Sequence, residues 1–272
     1  MKLQQEIFQK KPFVIGMVHL KALPGSPGFG GSFDEVLSAA KADASILAAG
    51  GVDAIMVENF FDVPFTPNRV ETETVSAMTL AVKEVMTAAN ATRTIPIGVN
   101  VLRNDGMSAM AIAACTGASF IRVNVLSGAR LTDQGVIEGI AYPLARLRAN
   151  LNADGILIMA DVDVKHSAPL APKEVHIEAE ELVERSGANA IIITGSTTGR
   201  PVDGSQLTKL REHVDVPLVI GSGVTAKTAA DLAKVADAFI VGTSLKEDGD
   251  IRKPVELSRV QELMKALQEG RD

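Results

Sequence analysis

Six residues of this sequence have side chains suited to proton transfer, and each lies at or just beyond the end of an aliphatic run. They are His19, Glu58, Asp161, Asp163, Lys165 and His166. Carboxylates, imidazoles and amines act as acids or bases near neutral pH when their surroundings shift their pKa values. We therefore predict that the catalytic residues are among these six. Lys165 is also a candidate for a Schiff base or for a phosphate contact.

Three of the six, Asp161, Asp163 and His166, are also candidate ligands for a divalent metal ion. Asp161 and Asp163 are two positions apart, so on a strand their side chains would face the same way. Carboxylate and imidazole ligands suit several divalent ions. The spacing matches no strict motif such as HExxH. A divalent metal therefore stays a possibility, and no other cofactor is indicated.

A second group of polar residues is suited to binding a substrate. It consists of Asn59, Asn100, Arg122, Asn124 and Asp133. Amide, guanidinium and carboxylate groups donate or accept hydrogen bonds in fixed directions, which orients a ligand. The alternative is that some of these residues form structural salt bridges, because a buried charge needs a partner.

A third group of small residues lies in glycine-containing turns near the C-terminal end of the sequence. The candidates for phosphate binding are Thr194, Gly195, Ser196, Gly221, Ser222, Gly223, Gly242, Thr243 and Ser244. Glycine turns that lead into a helix present backbone N–H groups to an anion. The alternative is that these glycines only make tight turns.

The elements that must position these residues alternate regularly along the chain. The predicted strands are 14–20, 54–59, 96–101, 120–125, 156–163, 190–195, 217–222 and 238–243. The predicted helices are 34–49, 71–90, 105–116, 139–150, 174–186, 203–213, 225–235 and 254–269. The helical segments carry apolar residues at three- and four-residue spacing, whereas the strands are short aliphatic runs. This alternation predicts an α/β fold with a parallel sheet.

Eight strand–helix units favour a single (β/α)₈ barrel of the TIM type, a closed parallel sheet with helices outside. The length of 272 residues suits one such barrel, which needs roughly 250. No GxGxxG follows the first strand, as a Rossmann fold would require. We predict one domain over 1–272, with 1–12 as an N-terminal lead-in. Because TIM barrels carry their sites where the strands end, this fold gathers the candidate residues at one mouth.

Two long connections follow predicted strands and have the composition of covers for such a mouth. The connection at 21–32 is rich in Gly, Pro and Ser, and the connection at 126–138 carries several polar residues. A closing loop excludes water and completes an active site. The alternative is a contact between subunits, so a homo-oligomer stays possible.

Composition excludes several classes of protein. The net charge is −6 and no basic stripe occurs, which argues against binding nucleic acid. No apolar run reaches the roughly 18 residues of a membrane span, and the N-terminus lacks a signal core. We predict a cytoplasmic protein, with peripheral membrane association left open. Cys115 is the only cysteine, so no intramolecular disulfide can form, and its apolar helical segment predicts a packed core thiol.

The sequence resembles the BtpA/SgcQ family over nearly its whole length. The motifs that carry the resemblance are GMVHL at 16–20, LPGSP at 23–27, VEN at 57–59, TDQG at 132–135, IEG at 137–139, DVDVKH at 161–166 and TGSTTG at 194–199. The resemblance implies a TIM-type barrel. It also implies links to photosystem I biogenesis in one branch of the family and to carbohydrate metabolism in another, but no particular reaction.

Two functions are therefore expected as alternatives. The first is an enzyme acting on a small phosphorylated sugar or nucleoside-like substrate, as an isomerase, lyase or hydrolase. The second is a non-catalytic assembly or stability factor of the kind linked to photosystem I biogenesis. The many ionisable residues at the predicted strand ends favour the enzyme, because a scaffold has little need of them.

Overall fold

A computed structural model of the protein describes residues 8, 12–91, 93–194 and 204–269. The strands in these residues are β1 (Phe13–His19), β2 (Ala54–Glu58), β3 (Ile97–Asn100), β4 (Phe120–Val123), β5 (Ala129–Thr132), β6 (Gly135–Glu138), β7 (Leu157–Val162), β8 (Ser167–Pro169), β9 (Ala190–Ile193), β10 (Leu218–Ile220) and β11 (Ala238–Val241). The α-helices are α1 (Phe33–Gly50), α2 (Thr72–Asn90), α3 (Gly106–Thr116), α4 (Ala141–Asn150), α5 (Val175–Glu184), α6 (Gly204–Arg211), α7 (Ala226–Leu232) and α8 (Leu257–Glu269).

Eight of the strands close into a parallel barrel, which confirms the predicted fold. The order around the barrel is β1-β11-β10-β9-β7-β4-β3-β2. Each barrel strand is followed in the chain by a helix, so the helices form an outer layer. All eight predicted strands and all eight predicted helices occur, with ends that differ by a few residues.

The barrel has two apolar layers, because strand side chains alternate between the inside and the outside. The inner layer contains Met17, Met56, Phe120, Met159 and Ile192, together with other inward residues of the strands. The outer layer packs the other strand faces against the helices. Phe8, in the predicted lead-in, also lies in the inner layer, whereas most of 1–12 lies outside the described residues.

Glycines end several helices where the sequence predicted tight turns into the next strand. Gly51 follows α1 with φ 97° and Gly117 follows α3 with φ 87°, a conformation that glycine adopts without steric cost. The opposite ends of these helices have side-chain caps: Ser32 Oγ accepts from Glu35 N, and Asp105 Oδ1 accepts from Ser108 N. Short turns on this side leave the other end of the barrel for the long connections.

A small antiparallel sheet, which the sequence did not predict, lies in two of those long connections. Its order is β6-β5-β8, with Arg130 opposite Ile137 and Pro169. We call these three strands the cover sheet. Its alternation places Ile137 and Arg130 in buried positions and leaves Leu131 exposed. The segment expected to be a closing loop after the fourth barrel strand is therefore largely a hairpin.

Two further expectations were wrong in detail. The helix predicted at 225–235 is α7, which has only 7 residues. Cys115 is exposed rather than packed in the core, because it lies on the outward side of α3. Within the residues that the structure describes, no helix is long and apolar enough to cross a membrane.

Candidate functional site

The inward positions turn from apolar to polar at the carboxyl end of the barrel. His19, Glu58, Asn100 and Arg122 are register partners on β1, β2, β3 and β4, so their side chains share one layer. They form the next inward-facing layer along the strands, two residues beyond the apolar layer that contains Met17 and its neighbours. Four adjacent strands thus line one half of the mouth with ionisable and amide groups, as the sequence predicted.

Glu58 is the central group of this half, and its environment favours its uncharged form. The residue is 5% exposed, and burial together with Asp161 raises the pKa of Glu58 to about 7, although Arg122 and Arg103 oppose the shift. A carboxyl with this pKa can accept or release a proton at neutral pH.

His19 lies beside Glu58, with 3.8 Å between its Nε2 and Glu58 Oε1. Burial, with Lys246 and Arg122 nearby, lowers the pKa of His19 to about 3. The two groups therefore do not form a charged pair at neutral pH: the imidazole is neutral. Gly242 makes room for the ring, since a Cβ there would lie 2.5 Å from His19 Cε1.

Asp161 balances the charge of Arg122. Arg122 Nη2 donates to Asp161 Oδ1 at 3.1 Å, and Arg122 Nε donates to Oδ2 at 3.2 Å. Asn124 Nδ2 also donates to Asp161. Asp161 is thus fully engaged as the acceptor that orients Arg122 and Asn124, whereas Arg122 Nη1 makes no hydrogen bond to the described residues.

Several buried polar atoms at the mouth have no hydrogen-bond partner among the described residues. They are His19 Nδ1, Asn100 Oδ1 and Nδ2, Asn124 Oδ1, Thr194 Oγ1 and Ser222 Oγ. Buried polar atoms are almost always satisfied in folded proteins, by protein groups or by water. These atoms are available to bind water or a polar ligand at the mouth.

Asp163 and His166 were expected beside Asp161, but the structure separates them. β7 ends at Val162, and Asp163 adopts φ 48°, which breaks the alternation that would have aligned it with Asp161. Asp163 instead accepts from Arg130 Nη2 at 2.6 Å. His166 is exposed, with φ 55°.

The candidate metal ligands therefore do not converge. Among the described residues, no group of three or more His, Cys, Asp or Glu side chains is arranged to hold a metal ion. Asp161, Asp163 and His166 do not form such a group, because the strand ends at Val162 and the backbone changes direction at Asp163.

Asn59 was predicted to bind substrate, but both ends of its amide are used within the protein. Its Oδ1 accepts from Leu102 N at 2.7 Å and its Nδ2 donates to Asp62 at 3.2 Å. Asn59 is one residue beyond Glu58 and so faces away from the barrel interior. It joins the connection after β2 to the connection after β3.

The other half of the mouth has small residues, as expected for the phosphate candidates. Thr194 follows β9 and Ser222 follows β10, and the buried hydroxyl oxygen of each has no hydrogen-bond partner among the described residues. Gly221 and Gly242 occupy inward positions, and Gly223 has φ 76°. Gly195 and Ser196 lie outside the described residues.

Two of the phosphate candidates are placed less favourably. Ser244 Oγ donates to Val224 O at 2.8 Å, which ties the connection after β11 to the connection after β10. Thr243 is exposed and begins a short 3₁₀ helix that ends at Leu245. α7 is too short for a strong dipole, so side-chain hydroxyls, rather than a helix end, are the groups in this half of the mouth that can donate to a ligand.

Lys165 and Asp133 lie at the rim, together with Arg103, which the sequence did not single out. Arg103 Nη2 donates to Lys165 O at 2.7 Å. Burial, with Arg122 nearby, lowers the pKa of Lys165. Asp133, at the tip of the cover-sheet hairpin, accepts from Gln134 and lies close enough to Arg103 to favour its charge.

The cover sheet is fastened to the barrel through Arg130. Besides Asp163, its guanidinium contacts Ser167 Oγ at 2.6 Å and Glu178 Oε1 at 3.3 Å. These partners come from the end of β7, from β8 and from α5. The sequence placed Arg130 only among the polar residues of the covering connection, because its fastening role depends on the unpredicted sheet.

The fold and the site define the class: a (β/α)₈ barrel with an ionisable site at its C-terminal mouth. Solved structures of low sequence identity share this fold, including Mycobacterium tuberculosis tryptophan synthase (TM-score 0.63, 16% identity, 97% of each chain covered). Another is a thiamine phosphate pyrophosphorylase from Pyrococcus furiosus (TM-score 0.57, 15% identity, 95% of this chain and 96% of that one).

Sequence comparison gives the family. The BtpA family profile matches residues 9–269, and the chain belongs to this family. An uncharacterized protein of Thermococcus kodakarensis is 46% identical over 97% of this chain and 98% of its own. The photosystem I biogenesis protein BtpA of Synechocystis sp. is 44% identical over 97% of this chain and 91% of its own.

Proposed function

We propose that this protein is an enzyme that transfers a proton on a small phosphorylated substrate, as an isomerase or a lyase. The observation that carries this proposal is Glu58, a buried inward-facing carboxyl whose pKa is raised to about 7. Groups with such shifted pKa values concentrate in active sites. The neighbouring free amide and hydroxyl atoms supply what a bound substrate would contact.

In the proposed mechanism, Glu58 in its ionised form accepts a proton from the carbon next to a substrate carbonyl. Negative charge then develops on the carbonyl oxygen, and donors already in place stabilise it. Asn100 Nδ2 and Arg122 Nη1 are such donors, because neither has a partner in the described residues. Glu58 in its protonated form returns the proton to a neighbouring atom.

His19 and Asp161 have different parts in this mechanism. His19 is neutral because its pKa is lowered to about 3, so it serves as a hydrogen-bonding group rather than as a cation. Asp161 holds Arg122 in position through its two oxygens and does not itself transfer the proton.

The substrate's phosphate would lie on the opposite half of the mouth. Thr194 Oγ1 and Ser222 Oγ have no hydrogen-bond partner among the described residues, and the glycines at 221, 223 and 242 keep the surface open for an anion.

The experiment detects proton transfer even when the product of the reaction has not been identified. A panel of phosphorylated sugars and nucleotides is incubated with the protein in D₂O, and deuterium uptake at carbon is measured by mass spectrometry. We expect uptake into at least one compound, and a loss of roughly 10²–10⁴-fold in Glu58→Gln. The exposed Glu212→Gln should behave as wild type. Uptake that is equal in wild type and Glu58→Gln would contradict the proposal.

A second candidate function is that of an assembly factor, as the name of the Synechocystis relative indicates for that protein. One observation favours it: the cover sheet exposes Leu131 (53%) and Val136 (51%), register partners on neighbouring strands. A 32% identical relative comes from Caenorhabditis elegans, an animal, so photosystem assembly is not shared by all relatives. Under this function Leu131→Asp abolishes complementation of a deletion strain, whereas Glu58→Gln does not.

A further inference from the structure

We propose that the substrate carries a second anionic group, which Arg103 binds on the side of the mouth opposite Ser222. This inference rests on the proposed function, because it extends the substrate placed there. The class of ligand is a small carbon skeleton with an anion at each end, the second being a phosphate or a carboxylate.

The first observation concerns two partly buried cations near the rim, each without a carboxylate counterion among the described residues. Arg103 and Lys165 are both partly buried, and Arg103 Nη2 donates to the Lys165 carbonyl, which fixes the guanidinium at this place. Neither forms a carboxylate ion pair within 4.0 Å in the part of the chain that the structure describes. Partly buried cations normally have partners, because desolvation makes an unpaired charge costly.

The protein's own carboxylates nearby are not available to fill this place. Asp161 is engaged by Arg122 and Asn124. Glu58 is uncharged below about pH 7. Asp133 is exposed at the hairpin tip and accepts from Gln134 at 2.6 Å.

Other charged groups act on the two cations from a greater distance. The groups that affect Arg103 are Asp161, Asp133 and Glu58, which favour its charge, and Arg122, which opposes it. For Lys165 they are Arg122, which opposes its charge, and Asp161, which favours it. With Asp161 already neutralising Arg122, the rim has two cations that an anionic ligand would balance.

The second observation is the position of Arg103 in the barrel. In the order β1-β11-β10-β9-β7-β4-β3-β2, β3 stands four places from β10 and is therefore diametrically opposite it. Arg103 follows β3, and Ser222 follows β10. Eight strands about 4.8 Å apart and tilted about 36° enclose a barrel about 15 Å across between opposite backbones.

A ligand held at both ends would place its middle over the proton-transfer residues. Glu58 and Asn100 lie in the inward layer beside Arg103, on β2 and β3. A bis-anionic substrate would thus be stretched across Glu58, which would fix the carbon that loses its proton.

The test uses inorganic phosphate as the probe. Crystals of the full chain are soaked in phosphate, and phosphate affinity is measured by calorimetry at constant ionic strength. We expect two phosphate ions, one near Ser222 and one at Arg103. Arg103→Met should weaken the second by about tenfold or more, as expected for a charge-assisted contact. Arg103→Lys, which keeps the charge, should retain most of the binding.

The matched control is Arg93→Met, since Arg93 is exposed and precedes β3 at the other end of the barrel. It should bind both ions as wild type does. A parallel soak in acetate shows whether the Arg103 site also takes a carboxylate; binding of either anion there supports the inference.

The outcomes separate this inference from the proposed function. A single ion near Ser222, unaffected by Arg103→Met, overturns the inference and leaves the proposed function standing. A single ion at Arg103 supports the inference and overturns the phosphate placement of the proposed function. Absence of ions from both places overturns both.

Discussion

Glu58→Gln should make the protein more stable at alkaline pH, although it removes the proposed catalytic group. The pKa of Glu58 is raised from 4.5 to about 7, mainly by burial. As pH rises through this window, the unfolded chain ionises Glu58 while the folded chain keeps the proton, so folding stability is lost. At 1.36 kcal/mol per pKa unit, the full loss above the folded pKa is about 3 kcal/mol.

The variant avoids this loss, because glutamine has nearly the same shape and no charge. We expect the stability difference between Glu58→Gln and wild type to grow by about 2.5 kcal/mol from pH 5 to pH 8. Urea unfolding of both proteins at a series of pH values measures it. The exposed Glu212→Gln serves as the control and should show no such trend. A difference independent of pH would refute the shifted pKa of Glu58 and the reasoning built on it.

Three further predictions concern the scaffold around the site. Gly98→Ala should cost about 1–3 kcal/mol, because the new Cβ would lie 2.0 Å from the Phe120 ring; thermal unfolding measures this, and Phe120→Leu should partly restore stability. Lys246→Met should cost about 3–5 kcal/mol in urea unfolding, because it leaves Asp43 buried without its partner at 2.5 Å; a cost below 1 kcal/mol would contradict the buried pair. Arg130→Met should speed amide hydrogen exchange in the cover sheet without changing exchange in the barrel strands, which mass spectrometry resolves.

The barrel was predictable because its signal is local. Buried parallel strands are short runs of Val, Ile and Leu, so the predicted 54–59 became β2 at Ala54–Glu58. The cover sheet was missed for the opposite reason. β8 has only 3 residues, Ser167–Pro169, and its pairing depends on a distant strand, with Pro169 opposite Arg130, 39 residues earlier.

The site was predictable to the extent that it depends on strand ends and alternation. That rule places Glu58 and Asn100 correctly in one layer. The rule fails at Asp163, because a single positive φ ends the alternation there. The residue types at this position do not predict that conformation. Asn59 shows a second limit: whether an amide is free for a ligand depends on its partners, and these come from another loop.

Arg103 shows a third limit of reading a sequence. An arginine two residues beyond a strand is usually a solvated surface residue, and only the fold places this one beside Lys165 at the rim. The charge balance of the mouth thus depends on contacts between the connection after β3 and the connection after β7, which are far apart in the chain.

The most direct test of the central claim is the pH dependence of deuterium uptake by the wild-type protein and by Glu58→Gln. If Glu58 is the base, the wild-type rate should rise with pH through an apparent pKa near 7, the value that burial gives this carboxyl. The variant should lose both the rate and this pH dependence. A wild-type profile that is flat from pH 5 to pH 9, or one that Glu58→Gln preserves, would contradict the assignment of Glu58 as the proton-transfer group.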